Sequence, residues 1–435
     1  MDLYGKKAVV YGAGRSGLSA WQLIREHGGR AVIYDDDPSK SHATSSKRVF
    51  ADCDLIVLSP GVPPTKDVVL DARLEGKRVM SELELASSFC RAEQIAVTGT
   101  NGKTTAVMLI DAMLKAAGKR SYAVGNIGTA FSAIADRLDA LETAVIEASS
   151  FQLETSGAFS PDIAVMLNIT PDHLDRHGSM ERYIGAKARI FLSQSECDTA
   201  VYNADDERVA ELLPVMRARA VPFSMTRPVD GAYISSGFIC YKGEPVVETA
   251  DIDLAGRELE DALAATAAAA SAGAGLYAVA SALQSFRRPP YRRSPGAVVD
   301  GIRLVNDSKA TNIGSVLSAV EGLGENGVLI LGGARGSEDF SELFAALPPS
   351  VKGAVLVGEN ADDIAKAARE AGFFGIVRSD TLEEACADAV DLAKELGCST
   401  VLFSPSSKSY DAFTSYEERG RAFDAAAAAL AAAKK

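Results

Sequence analysis

Gly99-Thr100-Asn101-Gly102-Lys103-Thr104-Thr105 is the segment with the clearest chemistry. It follows the apolar run QIAV and precedes a helical pattern. Glycines there let the backbone curl so that its N–H groups point inward at phosphate oxygens. The N-terminus of the following helix adds partial positive charge. Lys103 is placed to reach the β- and γ-phosphates of a nucleoside triphosphate, and the Thr104 hydroxyl to ligate Mg²⁺. The match to the common phosphate loop is partial: a glycine is usual five positions before Gly102, and Val97 stands there. The plain alternative is a tight strand–helix turn with a solvated lysine.

Other residues add to this one segment. Glu147 ends the run TAVIE, where a strand-end carboxylate can meet a metal held by Thr104. Taken alone, it is better read as a solvated strand end. The histidines are His27, His42, His173 and His177, and the last two lie in Asn168–His177, NITPDHLDRH. A histidine flanked by carboxylates after a strand can bind a metal or orient a phosphate; the alternative is a surface loop of turn formers. Lys187 sits among small residues in YIGAKARIF, which would let it be partly buried, yet its spacing is that of an ordinary amphipathic-helix lysine. Gly12-Ala13-Gly14-Arg15-Ser16-Gly17 is a second glycine loop of the form GxGxxG, with Asp35 at the end of the next strand, where a ribose-binding acid would sit. Alone it suggests NAD. Two such loops in one chain suggest instead that one holds a nucleotide-linked substrate and the other a triphosphate.

The elements that must position these residues follow a simple pattern. Short β-rich runs alternate with longer helical stretches, the mark of parallel α/β units. Residues 1–89 hold the strands KKAVVY, AVIYDDD and DLIVLSPGVP; residues 90–286 hold QIAVTG, TAVIEASS, DIAVMLNIT and TAVYNADD, then short β-like pieces at 221–254 and an Ala-rich helical stretch at 258–285. A joint of paired prolines and arginines, RRPPYRRSPG, opens residues 287–435, where strands recur at GIRLVND, GVLILGG, GAVLVG and TVLFSPSS before a terminal helix. The fold class is α/β in three domains: 1–89, 90–286 and 287–435.

The 435 residues suffice for several domains with large cores, so no disulfide or metal staple is needed. The net charge of −13 argues against general binding to nucleic acid or anionic membrane, while leaving room for local basic patches. Six scattered cysteines form no CxxC pair, which fits a reducing compartment. No signal peptide or membrane-length apolar run is visible, so the expectation is a cytoplasmic enzyme.

With these residues assembled, the sequence resembles the Mur ligases, and among them the D-glutamate-adding type. GTNGKTT at 99–105, GNIG at 125–128, EASSFQLE at 147–154, NITPDHLDRH at 168–177, Lys187 and NDSKATN at 306–312 occur in the order of that family. The resemblance implies a Rossmann-like N-terminal domain for a UDP moiety, a central P-loop ATPase-type domain and a Rossmann-like C-terminal domain. It implies ATP-dependent amide ligation through an acyl phosphate, joining D-glutamate to UDP-N-acetylmuramoyl-L-alanine, by a monomer. It assigns UDP-substrate contacts to Arg15, Ser16, Asp35, Gly61, Asn126 and His173. Gly99, Thr100, Asn101, Gly102, Lys103, Thr104, Thr105, Arg292 and Asp307 would bind ATP. Thr104 and Glu147 would hold one Mg²⁺, and His173 and a carbamylated Lys187 a second. Lys309, Thr311, Arg335, Ser409 and Tyr416 would lie near the amino acid, with Lys103, Glu147, His173 and Lys187 as the catalytic group.

Two departures stand out. The family's His-Asn-x-x-Asn segment, which contacts adenine, is replaced at Gly256–Ala262 by GRELEDA. A lysine usual for the amino acid's side-chain carboxylate is Gly336 here, leaving Arg335 or Lys408 to supply that charge. Three alternatives remain at this level: a ligase for another amino acid or a folylpolyglutamate-type ligase, a nucleotide-binding regulator without catalysis, and a dehydrogenase.

Overall fold

A computed structural model describes residues 1–42, 46–288, 290–321, 323, 326–336 and 338–434. Pro289 of the Arg/Pro joint and Ser337 beside Gly336 lie outside the described residues. The chain divides into two compact units. One comprises Met1–Leu254 with Glu258–Phe286, the other Ala255–Arg257 with Arg287–Lys435.

The first unit holds two sheets. The smaller has four parallel strands in the order Arg30–Tyr34, Lys7–Tyr11, Leu55–Leu58, Arg78–Ser81. The larger has nine, running Glu244–Glu248, Phe238–Tyr241, Ala232–Ser235, Arg219–Ser224, Thr199–Asn203, Ile163–Met166, Glu93–Thr98, Glu142–Glu147, Arg120–Gly125. Its pairs are parallel from Arg120–Gly125 through Ala232–Ser235, and the last two are antiparallel. The central strands Ile163–Met166 and Glu142–Glu147 are buried at every position, because helices cover both faces of a parallel sheet. One face packs on the helices Lys103–Ala116, Arg257–Ser271 and Leu276–Ser285. The other packs on the helix Met180–Leu192 and on Phe131 and Phe159. At the rim of this sheet the strand Glu244–Glu248 carries Pro245, with a register irregularity against its neighbour.

The second unit holds a six-stranded sheet in the order Ser294–Val299, Ile302–Asn306, Thr400–Phe403, Gly327–Leu331, Val351–Leu356, Ile376–Arg378. Its first pair is antiparallel and irregular beside Pro295; the others are parallel.

Two details differ from the sequence reading. The Ala-rich stretch 258–285 is two helices, Arg257–Ser271 and Leu276–Ser285, because Gly273 and Gly275 interrupt it where the chain turns. The joint RRPPYRRSPG runs on into the edge strand Ser294–Val299, since proline is tolerated where no ladder donor is needed.

The parallel strands leave their loops at one end, and the fold uses close glycine packing there. In the four-stranded sheet, Gly17 lies so close to Gly12 that an added Cβ would stand 1.9 Å from the Gly12 carbonyl oxygen. Backbone cannot move aside as a flexible side chain can. Gly17→Ala is therefore expected to lower stability by ~1–3 kcal/mol, read as a drop in the denaturation midpoint; an unchanged midpoint would show that the turn is slack.

Candidate active site

The strand Glu93–Thr98 delivers Gly99–Gly102 to the start of the helix Lys103–Ala116. Gly102 adopts the left-handed conformation, φ 85°, where a side chain would be strained. A Cβ there would also fall 1.9 Å from Oδ1 of buried Asp261. The loop is tied to the segment after the strand Ile163–Met166. Thr100 N–H donates to the Asn168 carbonyl at 2.9 Å, Asn101 N–H to Asn168 Oδ1 at 2.9 Å, and Thr100 Oγ1 to the Thr170 carbonyl at 3.1 Å. Adjacent strand ends thus hold the loop open at the helix N-terminus, where the first N–H groups have no partner within the helix.

Two lysines converge on this loop. Lys103 Nζ donates to the carbonyls of Gly99 at 2.8 Å and Thr100 at 2.7 Å. Lys187, on the helix Met180–Leu192, is fully buried and donates to the same Gly99 carbonyl at 2.6 Å, with Nζ 4.8 Å from the centre of the Tyr183 ring. Burial, reinforced by the Lys103 charge and only partly offset by Asp172, holds the Lys187 pKa well below the usual lysine range.

Thr104 Oγ1 donates to Glu147 Oε2 at 2.8 Å, and Asn126 Nδ2 donates to Glu147 Oε1 at 2.9 Å. One buried carboxylate thus joins the nucleotide loop to the GNIG turn. A hydroxyl and a carboxylate side by side are hard oxygen donors of the kind Mg²⁺ takes through one or two protein ligands, with phosphates and water completing the shell. That donor set, beside a backbone cradle with glycine at its tight turn, fits a magnesium–nucleotide. Among the described residues, no cluster of three or more His, Cys, Asp or Glu side chains forms a metal site by itself.

His173 takes the left-handed conformation at the start of the short helix Leu174–His177. Its Nε2 lies 3.7 Å from Asp172 and its ring 4.8 Å from that of Phe151. His177 is different. It is buried, 3.1 Å from Ser150 Oγ, and burial depresses its pKa, so it serves as a packed neutral anchor.

In the four-stranded sheet the Asp35 carboxylate accepts from Ala13 N–H at 2.7 Å and Asp37 N–H at 2.9 Å, bracing the glycine loop from below. Arg15 donates to the Gly128 carbonyl at 3.0 Å, bringing the glycine loop to the GNIG turn. Ser16 sits half-buried next to it, and Gly61 is exposed in the turn after the strand Leu55–Leu58.

In the second unit Asp307 is buried and accepts from Ser404 Oγ at 2.8 Å and Arg293 N–H at 3.1 Å. Burial raises its pKa to about 6, against the opposing pull of Arg292. Lys309 Nζ lies 5.3 Å from the centre of the Tyr416 ring. Ser409 is buried, and Thr311 is half-buried at the start of the helix Ile313–Glu321. Arg335 is exposed and its Nε donates to Asp363 at 2.9 Å, so its charge is already matched by a carboxylate.

Several contributors escaped the sequence reading. Asn168, Tyr183 and Asp261 shape the loop, and nothing in their spacing separates them from ordinary turn and core residues. Arg419 lies in the terminal helix Tyr416–Ala433, and nothing in the helical pattern marks it. It is buried, donating to Ser308 O at 2.8 Å and Ser407 O at 3.0 Å, with its pKa lowered to about 10 by burial. Among the described residues no helix is long and apolar enough to cross a membrane.

Residues 97–269 match the Mur ligase middle domain, and residues 294–407 the Mur ligase glutamate ligase domain. The chain is 40% identical to the UDP-N-acetylmuramoylalanine–D-glutamate ligase of Pelotomaculum thermopropionicum, over 97% of each chain. It is 38% identical to the enzyme of the same name from Shouchella clausii, over 97% of this chain and 96% of that one. Among solved structures, MurF from Acinetobacter baumannii superposes with a TM-score of 0.64 at 20% identity, covering 89% of this chain and 87% of that one. The three sheets are accordingly those of the three-domain Mur ligase fold. The chain belongs to the Mur ligase family, in its group of D-glutamate-adding ligases.

Proposed function

We propose that the Gly99–Thr105 loop holds the triphosphate of ATP, while Arg15, Ser16, Asp35, Gly61, Asn126 and His173 receive the UDP-linked substrate. Arg292 and Asp307 would meet the nucleotide, and Lys309, Thr311, Ser409 and Tyr416 the amino acid. The working parts would be 1–89, 90–286 and 287–435. The reaction is that of the group. The chain is an ATP-dependent, ADP-forming ligase that adds D-glutamate to UDP-N-acetylmuramoyl-L-alanine in peptidoglycan precursor synthesis. We place it in the cytoplasm, as a monomer.

The observation that carries the site reading is Glu147, bonded at once to Thr104 of the loop and Asn126 of the GNIG turn. The carboxylate sits where nucleotide and acceptor must meet. ATP phosphorylates the free carboxylate of the L-alanyl group, giving an acyl phosphate and ADP. The amino group of D-glutamate then attacks the acyl carbon, and the tetrahedral adduct expels phosphate. Phosphate is a far better leaving group than oxide, which is why the acid must first be activated. Lys103 neutralises charge on the transferring phosphoryl group. Thr104 and Glu147 would hold one Mg²⁺, and His173 and Lys187 a second, and these ions would supply further charge neutralisation.

For Lys187 to serve a cation it must itself become an anion. A neutral amine is the form that attacks CO₂, losing a proton to give a carbamate, and burial of Lys187 shifts its pKa in the direction that favours that form. Arg335, which also pairs with Asp363, would meet the amino acid's side-chain carboxylate, with Lys408 as the other basic residue that could supply that charge.

Purified protein given ATP, Mg²⁺, UDP-N-acetylmuramoyl-L-alanine and a panel of amino acids is expected to release ADP and a D-glutamyl product; ADP release with another amino acid alone would move the specificity. Lys103→Ala should abolish turnover while calorimetry still detects the UDP substrate, and unchanged turnover would remove Lys103 from the phosphates. Lys187→Ala should be nearly inactive and partly restored by short carboxylates, whereas full activity without them would dismiss the carbamate. Asp307 gives a pH test. Its raised pKa means the folded chain binds more protons than the unfolded one from about pH 4 to 6, so its contribution to stability falls as pH rises through that window. Asp307→Asn should therefore raise the melting midpoint more at pH 7.5 than at pH 4.5; equal shifts at both would show that the carboxylate is fully compensated.

A further inference from the structure

Arg176 lies in NITPDHLDRH, yet its guanidinium reaches out of the nine-stranded sheet's loop to the four-stranded sheet. Nη1 donates to the Gly61 carbonyl at 3.4 Å and Nη2 to the Val62 carbonyl at 3.1 Å. Nη2 also donates to Glu154 Oε2 at 3.2 Å. The guanidinium carbon stands 4.8 Å from the centre of the Phe151 ring, whose centre is in turn 4.8 Å from that of His173 and 5.5 Å from that of His177. The side chain is only 14% exposed, so these are not solvent-diluted surface contacts.

Other bonds also join the two sheets' surroundings. Arg15 reaches Gly128, His27 lies 3.1 Å from Asp136, and Glu82 and Glu84 accept from Ser132 and Ala158. Of these bonds, the Arg176 set alone starts from the His173 loop. It also uses the one side chain suited to the task. A planar fork can bond two successive carbonyls and a carboxylate while stacking on an aromatic face, and a lysine ammonium cannot.

We propose that Arg176 is a positioning residue that fixes the turn Gly61–Val62 against the His173 loop, and so sets the span between the uridine-diphosphate end of the substrate and its reacting carboxylate. This rests on the site reading above, which puts Gly61 at the UDP moiety and His173 at the metal. The substrate is long, and its two ends are held by different sheets. A drift of about 1 Å between them displaces the carboxylate from the phosphoryl group, and misplacements of that size cost up to ~10²-fold in rate. A misaligned acyl phosphate also survives longer unattacked, and water then competes with the amine.

The test uses the full-length enzyme with Arg176→Ala, Arg176→Lys and Glu154→Gln. For Arg176→Ala we expect kcat to fall roughly 10- to 100-fold and KM for UDP-N-acetylmuramoyl-L-alanine to rise, with KM for ATP within about twofold of the parent. ADP formed per peptide formed should rise above the parent ratio, and guanidinium ion should restore part of the rate. Arg176→Lys should stay impaired because it keeps the charge and loses the fork; Glu154→Gln should show the same pattern more weakly. Full recovery by Arg176→Lys, or an Arg176→Ala enzyme with parental kcat, KM and coupling ratio, would overturn the proposal. So would losses in all variants that simply follow a lowered melting midpoint with both KM values unchanged. Failure of the parent enzyme to form product would instead sink the functional reading.

Discussion

Two amines, those of Lys103 and Lys187, share the carbonyl oxygen of Gly99. Much of the site depends on that crowding. Burial most of all, and the Lys103 charge beside it, hold the Lys187 pKa well below the ordinary lysine range. Lys187 lies deeper, with Nζ 4.8 Å from the centre of the Tyr183 ring. The pairing gathers two basic groups at one carbonyl, a setting that the proposed triphosphate and carbamate would complement. The glycines make the arrangement possible, since any side chain at Gly102 would collide with Asp261.

The central sheet converts this local chemistry into a meeting place. Neighbouring parallel strands end at Thr98, Met166 and Glu147, so the phosphate loop, the Asn168 segment and the carboxylate emerge at one rim. Asn126, from the next strand end, completes the row. The four-stranded sheet is bonded to this rim through Arg15 and through the buried Glu82, whose carboxylate accepts from Ser132 N–H at 2.7 Å. In the second unit the same economy recurs. Buried Arg419 binds the backbone of Ser308, the residue between Asp307 and Lys309, so a cation hidden from water holds the segment that presents both.

The sequence made the α/β class and the strand–glycine loop–helix at 93–116 legible because both follow from local patterns, strand runs and glycine spacing. Glu147 was legible only in company with Thr104, since a strand-end carboxylate has many ordinary uses. Lys187 was visible through resemblance alone; its burial depends on packing from the opposite side of the loop, which no spacing encodes. His177 shows the reverse. The two histidines look equivalent in NITPDHLDRH, yet four residues of helix turn one outward beside Asp172 and bury the other against Ser150. Arg335 was read as a cation for a substrate carboxylate, and its pairing with Asp363, 28 positions on, is a contact that no spacing announces.

The strands at the outer rims carry a quieter lesson. Glu244–Glu248 closes the nine-stranded sheet with acidic residues at both ends and Pro245 within, and Ser294–Val299 closes the six-stranded sheet with Pro295 beside a break in register. Each proline withholds an N–H, and each irregularity bends the ladder away from flatness. At these two edges a second copy would meet an interrupted row of donors rather than a flat ladder to extend.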